Sequence, residues 1–378
     1  MHNFFEKFVA IMSKLVAYTA SRIFDGDKWL RDCAILINDN KIREILNVAD
    51  LPQEIKTVSL HNTIIAPAFI DLQIYGANRK LFAVYPEKKS LQLLTEHCRK
   101  AGTAYCLPAI ATNTSDTFFR CIDAVKQYRD EGGKGILGLH IEGPWINPLK
   151  RGAHIESLIH SPDLKEVKEL LEYGKGIIKM ITLAPEVCSR EIIELILSYN
   201  IIISAGHSNA THAEAMHGFQ QGISSVTHLY NAMSGLHHRE PGLVGAAFNH
   251  EKVMASIIPD GHHVNYEAIA IAKKIMGERL FAITDAVTET GEGYYQHTKA
   301  GDKYEAAGIL SGSALTMNKA LQNLVLHAGI ELSEALRMCS LYPARVMKLD
   351  DNFGRIAKGH KAAMIVLDKE LNVVSLIN

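Results

Sequence analysis

The stretch IIISAGHSNATHAEAMHGFQQGISSVTHLYNAM, residues 201–233, decides how the rest of the chain is read. It opens on Ile201, Ile202 and Ile203, a β-branched run suited to a strand buried on both faces. Ser204, Ala205 and Gly206 let the backbone turn, and His207 follows. A helical segment over 210–221 comes next, closed by Gly222 where a C-cap glycine belongs. A second strand, 224–227, then delivers His228. The unit reads β-α-β, with a histidine at the carboxyl end of each strand, the end where parallel barrels carry their chemistry. Two imidazoles there point to a metal site. A lone histidine at a strand end is more often a hydrogen-bonded structural residue, so the metal reading needs a third ligand at a third strand end.

Composition limits the alternatives. With 378 residues and 47% hydrophobic content, the chain can bury one large domain, or one large and one small. The net charge is -1, with acids and bases interspersed, so neither a nucleic-acid nor an anionic-membrane partner is expected. Cys33, Cys98, Cys106, Cys121, Cys188 and Cys339 are scattered without a CxxC pair, which suits a reduced, cytoplasmic protein. No apolar run approaches the roughly 18–20 residues needed to span a membrane. Residues 1–11, MHNFFEKFVAI, place Glu6 and Lys7 inside what would be a signal peptide's apolar stretch, and no clear cleavage site follows. An amphipathic helix or a start at Met12 both fit; the second is favoured, with the recognisable protein beginning near Ser13.

From 15 to about 65, short alternating segments separated by Asp25-Gly26 and Asn38-Asp39-Asn40 read as antiparallel sheet. The carboxyl end repeats this texture, with GRIAKG at 354–359 and a strand at 363–367. Between them, strands are expected at 64–70, 103–107, 136–141, 177–182, 201–204, 224–227, 254–258 and 281–284, mostly with helices between. The expectation is an α/β protein: a (β/α)8 TIM barrel over 66–345, with a small β-sandwich domain formed by 13–65 and 346–378. An open doubly wound sheet is the runner-up, although no GxGxxG follows the first strand to support dinucleotide binding.

The third strand runs into Glu142, and Gly143-Pro144 turns the chain beyond it. A carboxylate with His207 and His228 makes the His₂Glu set that binds a catalytic zinc and leaves a position for water. The eighth strand ends in Thr284 and Asp285, placing another carboxylate on the same rim as a proton acceptor. Asp285 alone would equally serve as a helix N-cap.

Several stretches carry a resemblance. They are PAFIDLQIYG (67–76), GLHIEGPWINPLKRGAH (138–154), SAGHSNAT (204–211), THLYNAMSGLHHREPGLVGAAF (227–248), DGHHV (260–264), ITDA (283–286), LSGSALTM (310–317) and YPARVMKLDDNFGRIAKGHKA (342–362). Together, and in this order, they resemble the N-acetylglucosamine-6-phosphate deacetylase family of the amidohydrolase superfamily. HIEGPWINP with GHSNAT and THLYNAM is highly specific, whereas ITDA or DGHHV alone is weak.

The resemblance implies a hydrolase of amino-sugar catabolism that frees acetate from a sugar phosphate. It implies one divalent metal on Glu142, His207 and His228, with Asp285 as catalytic base and His154 bonded to the substrate near its amide. It further implies that Asn231 and the backbone of Ala232 contact the sugar phosphate, which His263 and Arg239 neutralise. That arginine would come from the neighbouring subunit of a homodimer. From the residues alone, His154, Arg239 and His263 read as solvated loop positions, and nothing chooses between His262 and His263. One departure stands out. Where many amidohydrolases carry His-x-His for a second metal, this chain has Gln73 and Tyr75, which favours a single ion: zinc first, with iron, manganese or cobalt able to use the same ligands. The competing readings are an amidohydrolase for an N-acyl amino acid or cyclic amide, and a non-catalytic sugar-phosphate sensor.

Overall fold

The computed structural model describes residues 15–306 and 308–378; the reading of 1–11 and the choice of Met12 lie outside them. Eight parallel strands follow one another around one sheet: β1 (Phe69–Ile74), β2 (Thr103–Ala111), β3 (Leu139–Glu142), β4 (Ile178–Leu183), β5 (Ile202–Ala205), β6 (Ser225–Val226), β7 (Met254–Ile257) and β8 (Leu280–Ala282). Just past β8, Ile74 bridges Ala286 in parallel register. The Asp285 amide donates to the Gln73 carbonyl at 2.9 Å, and the Tyr75 amide to the Ala286 carbonyl at 2.8 Å. First strand thus meets last, and the sheet closes into a TIM barrel. An open doubly wound sheet has neither this consecutive order nor this closure.

The expected strands shift in places. The run at 64–70 is split, because Lys56–Pro67 belongs to a second sheet, where it pairs antiparallel with Met364–Leu367 and parallel with Val16–Phe24. Only from Phe69 does the chain enter the barrel. The third strand starts at Leu139 rather than 136, Ile136 making only an isolated bridge to Cys106. The second sheet has seven strands drawn from both ends of the chain and buries Ile23, Ile35, Ile65, Met364 and Val366 in a core of its own.

The helices around the barrel are locally encoded. His212–Gln220 starts at Thr211, whose hydroxyl accepts from the Glu214 amide while the Glu214 carboxylate accepts from the Thr211 amide, a capping box. Arg190–Ser198 is capped by Ser189 and turns Ile192, Ile193 and Ile196 inward. Burial of each such side chain stabilises by about 1.5–3 kcal/mol, and truncating Ile193 to alanine would cost about 2–5 kcal/mol. Beyond β8 the chain makes a long excursion containing a three-stranded antiparallel sheet, Thr298–Ala300, Lys303–Ala306 and Ile309–Ser313, before it enters the helix Met317–Leu326. No helix among the described residues is long and apolar enough to cross a membrane.

Candidate active site

Three residues at the carboxyl ends of barrel strands hold left-handed backbone: His207 (φ 48°), His228 (φ 36°) and Asp285 (φ 53°). Non-glycine residues seldom adopt this region, and such strain gathers at functional sites. It turns all three side chains toward Glu142, the last residue of β3, which is 1% exposed.

Glu142 Oε1 stands 3.1 Å from His228 Nε2 and 3.3 Å from His207 Nε2, and the two nitrogens are 3.1 Å apart. Ligand atoms around a small tetrahedral ion, each about 2.1 Å from it, are separated by about 3.4 Å. The tautomer agrees. His207 Nδ1 faces the Lys150 carbonyl at 3.0 Å, which can only accept, so the hydrogen is on Nδ1 and the Nε2 lone pair points into the triangle. His207 offers its Nε2 lone pair, Glu142 its carboxylate, and His228 brings its Nε2 to the same point, a donor set that fits a divalent cation.

His154 also approaches, its Nε2 lying 3.3 Å from Glu142 Oε2, and Glu142, His154 and His207 place ligand-capable atoms within 4.8 Å of one another. Its tautomer is the opposite one. The Thr112 amide, which can only donate, faces His154 Nδ1 at 3.4 Å, with the Thr112 hydroxyl at 2.7 Å. Nε2 therefore carries the hydrogen, and His154 is a donor beside the ion position rather than a lone pair toward it. Burial lowers the His154 imidazole to about 4, so it is neutral near pH 7. Burial likewise lowers His228, partly offset by its hydrogen bond to Glu142.

Gln73 and Tyr75, at the end of β1, complete the centre. Gln73 Nε2 donates toward Asp285 Oδ1 at 2.7 Å and Glu142 Oε1 at 3.0 Å, and the Tyr75 hydroxyl donates to Glu142 Oε2. Burial, then the Glu142 carboxylate, holds the Asp285 carboxyl well above the usual range. A cation in the triangle would oppose that shift. Below lies a polar floor: His140 bonds the Leu72 carbonyl at 3.1 Å and the Thr182 hydroxyl at 2.7 Å, and Thr182 continues to Thr227 and Ser204. His140 is thus a structural residue of the barrel interior.

These groups open into a cavity of about 260 Å³ whose wall includes Asn231, Ala232 and His263. The structure separates the neighbouring histidines. His263 Nδ1 bonds Asp260 at 2.6 Å and faces the cavity, while His262 turns outward to Asp302 at 2.8 Å. Arg239 lies on an exposed loop and is not part of its own chain's cavity wall. Sequence pattern does not reveal the bridging role of Gln73, whose position it marks only as a lost histidine. It also misses Tyr295, His297 and Ser311, which come from the excursion after β8, where no periodicity gives a signal.

A family profile described as Amidohydrolase family matches residues 64–377, and one described as NagA composite domain matches 16–65. The chain belongs to the amidohydrolase family. This amidohydrolase is 34% identical over 361 residues to an N-acetylglucosamine-6-phosphate deacetylase of Haemophilus influenzae, covering 92% of this chain and 94% of that one. It is 30% identical to an N-acetylgalactosamine-6-phosphate deacetylase of Escherichia coli O157:H7, with 94% and 95% covered. Its structure resembles the crystal structure of N-acetylglucosamine-6-phosphate deacetylase from Pasteurella multocida, with a TM-score of 0.92, 31% identity, and 96% and 98% coverage.

Proposed function

We propose that this amidohydrolase hydrolyses the acetamide of N-acetyl-D-glucosamine 6-phosphate to D-glucosamine 6-phosphate and acetate. The observation that carries this reading is the triangle of Glu142 Oε1, His207 Nε2 and His228 Nε2, with Asp285 linked to the same carboxylate through Gln73. One divalent ion, zinc by the chemistry of the donors and with iron, manganese or cobalt as competitors, supplies Lewis acidity to the amide carbonyl and lowers the pKa of water there.

The chain's own groups do the rest. Asp285 takes a proton from water as its oxygen bonds to the acetyl carbon, then hands that proton to the nitrogen as the C–N bond breaks. His154 presents its Nε2 hydrogen to the carbonyl oxygen as negative charge develops. Asn231, the Ala232 backbone and His263 hold the sugar phosphate. Arg239 neutralises the phosphate from the neighbouring subunit of a homodimer; its exposed loop, with Leu236 60% exposed beside it, supports that role. Six free thiols suit a reducing cytoplasm.

The test is acetate release from N-acetylglucosamine 6-phosphate beside the unphosphorylated sugar, with metal measured on the same sample. Fast, phosphate-dependent release with about one ion per chain is expected. No release from a metal-replete sample would move the substrate to another N-acyl compound.

A further inference from the structure

The excursion after β8 returns to the cavity at three residues to which the chemistry above gives no task. The Ser313 amide donates to the Asp285 carbonyl at 2.9 Å and the Val287 amide to the Ser313 carbonyl at 3.1 Å, fixing the strand Ile309–Ser313 beside the catalytic rim. Ser311, at the centre of that strand, is 5% exposed and lies in the cavity wall. Its hydroxyl is 3.2 Å from His297 Nδ1. The Tyr295 hydroxyl donates to the Thr112 carbonyl at 2.7 Å, so its ring is held edge-on to His154 and nearly parallel to His297, at 15°. Ser311 therefore bonds one edge of His297, and the Tyr295 ring lies nearly parallel to it with centroids 6.2 Å apart.

His297 lines the cavity beside Ser311, and it also borders a second recess with Arg79, Glu289 and Thr290. The residue is 6% exposed, and its Nε2 has no hydrogen-bond partner among the described residues, yet it is not sealed off as His228 Nδ1 is. A polar nitrogen in so closed a position takes its hydrogen bond from solvent or from a ligand. Burial lowers this imidazole to about 4, so near pH 7 it is neutral and offers one donor or one acceptor. A sugar hydroxyl can answer either. A phosphate, which needs donors, is served by Asn231 and His263 instead.

We propose that His297, oriented by Ser311, binds a ring hydroxyl of the amino sugar and is a specificity-determining residue for the hexosamine. The inference rests on the amino-sugar phosphate reading of the cavity. N-acetylglucosamine and N-acetylgalactosamine differ only in the configuration of one ring hydroxyl, so a fixed partner for a hydroxyl is where such a site selects its sugar.

The experiment measures kcat and KM for the metal-loaded protein and for His297→Phe, His297→Gln and Ser311→Ala. The substrates are N-acetylglucosamine 6-phosphate and its 1-, 3- and 4-deoxy analogues, with melting temperature and metal content followed on each preparation. His297→Phe keeps the flat ring and loses the hydrogen bond. Its KM should rise about 10- to 100-fold, with kcat within about 3-fold of wild type. The penalty should vanish on the 4-deoxy analogue, which lacks the hydroxyl whose configuration separates the two sugars. His297→Gln should restore most of the loss, and Ser311→Ala should raise KM in the same direction by less. Should His297→Phe fail to fold, Ser311→Ala carried across the same analogues tests the proposal in its place. An unchanged KM, or a penalty that persists on the 4-deoxy analogue, overturns the role of His297 and leaves the deacetylase reading intact. Wild-type protein that releases no acetate overturns both.

Discussion

Gln73 Nε2 donates to Asp285 Oδ1 at 2.7 Å across 212 positions of sequence, and the same nitrogen stands 3.0 Å from Glu142 Oε1. One amide thus ties the proposed proton carrier to the carboxylate at the ion position. Gln73→Ala removes the only side-chain donor to the Asp285 carboxylate among the described residues and lets it swing. We expect kcat to fall about 10- to 100-fold with metal content unchanged, measured by acetate release and elemental analysis. Normal kcat would show that the bridge is incidental.

Asp285→Asn keeps an acceptor for Gln73 but cannot take a proton. Turnover should drop by about 10²- to 10⁴-fold while the ion stays bound. Near-normal turnover would remove Asp285 from the mechanism.

The opposite tautomers of His154 and His207 separate their roles. His207→Ala should lose the ion, together with the ion's contribution to melting temperature, and added zinc should restore neither fully. His154→Ala should keep the ion and lose about 10²- to 10³-fold in kcat. Retention of metal by His207→Ala with loss from His154→Ala would reverse the assignment.

Arg239→Ala should raise KM for the phosphorylated substrate and leave metal content alone. Mixed with Asp285→Asn protein and refolded together, it should regain about a quarter of wild-type activity at low substrate, because half of the randomly paired dimers carry one complete site. Absence of any regain would place Arg239 outside a shared site.

Asp71 is 1% exposed, and burial raises its carboxyl to about 6 despite hydrogen bonds from Thr284 and Gln73. Between about pH 4 and 6 the native state therefore holds its proton more tightly than the unfolded chain. The group's contribution to stability is complete below that window and lost as pH rises through it, by about 3 kcal/mol. Asp71→Asn stays neutral, so its stability relative to wild type should grow by up to that amount from pH 4 to 7.5 in urea denaturation. Parallel profiles for the two proteins would refute the shift.

Most of the barrel was legible because burial on both faces writes itself into sequence as short β-branched runs, and capping writes itself as Thr211 with Glu214. Strand edges were less so. The apolar residues 64–72 serve two sheets in succession, and hydrophobic pattern alone does not mark where one hands over to the other.

The sequence by itself determined the alternation of strand and helix, and it determined that Glu142, His207, His228 and Asp285 sit at strand ends. Both follow from local periodicity, in which each residue's neighbours in sequence set its place. The tertiary structure alone decided which ring nitrogen of each histidine is free, since that depends on Lys150 for His207, 57 positions away, and on Thr112 for His154, 42 away. It also decided between His262 and His263, through Asp302 and Asp260, and it turned Gln73 from a missing ligand into a bridge. Hydrogen bonds between distant residues carry no period, so only closure of the barrel brings their partners within reach.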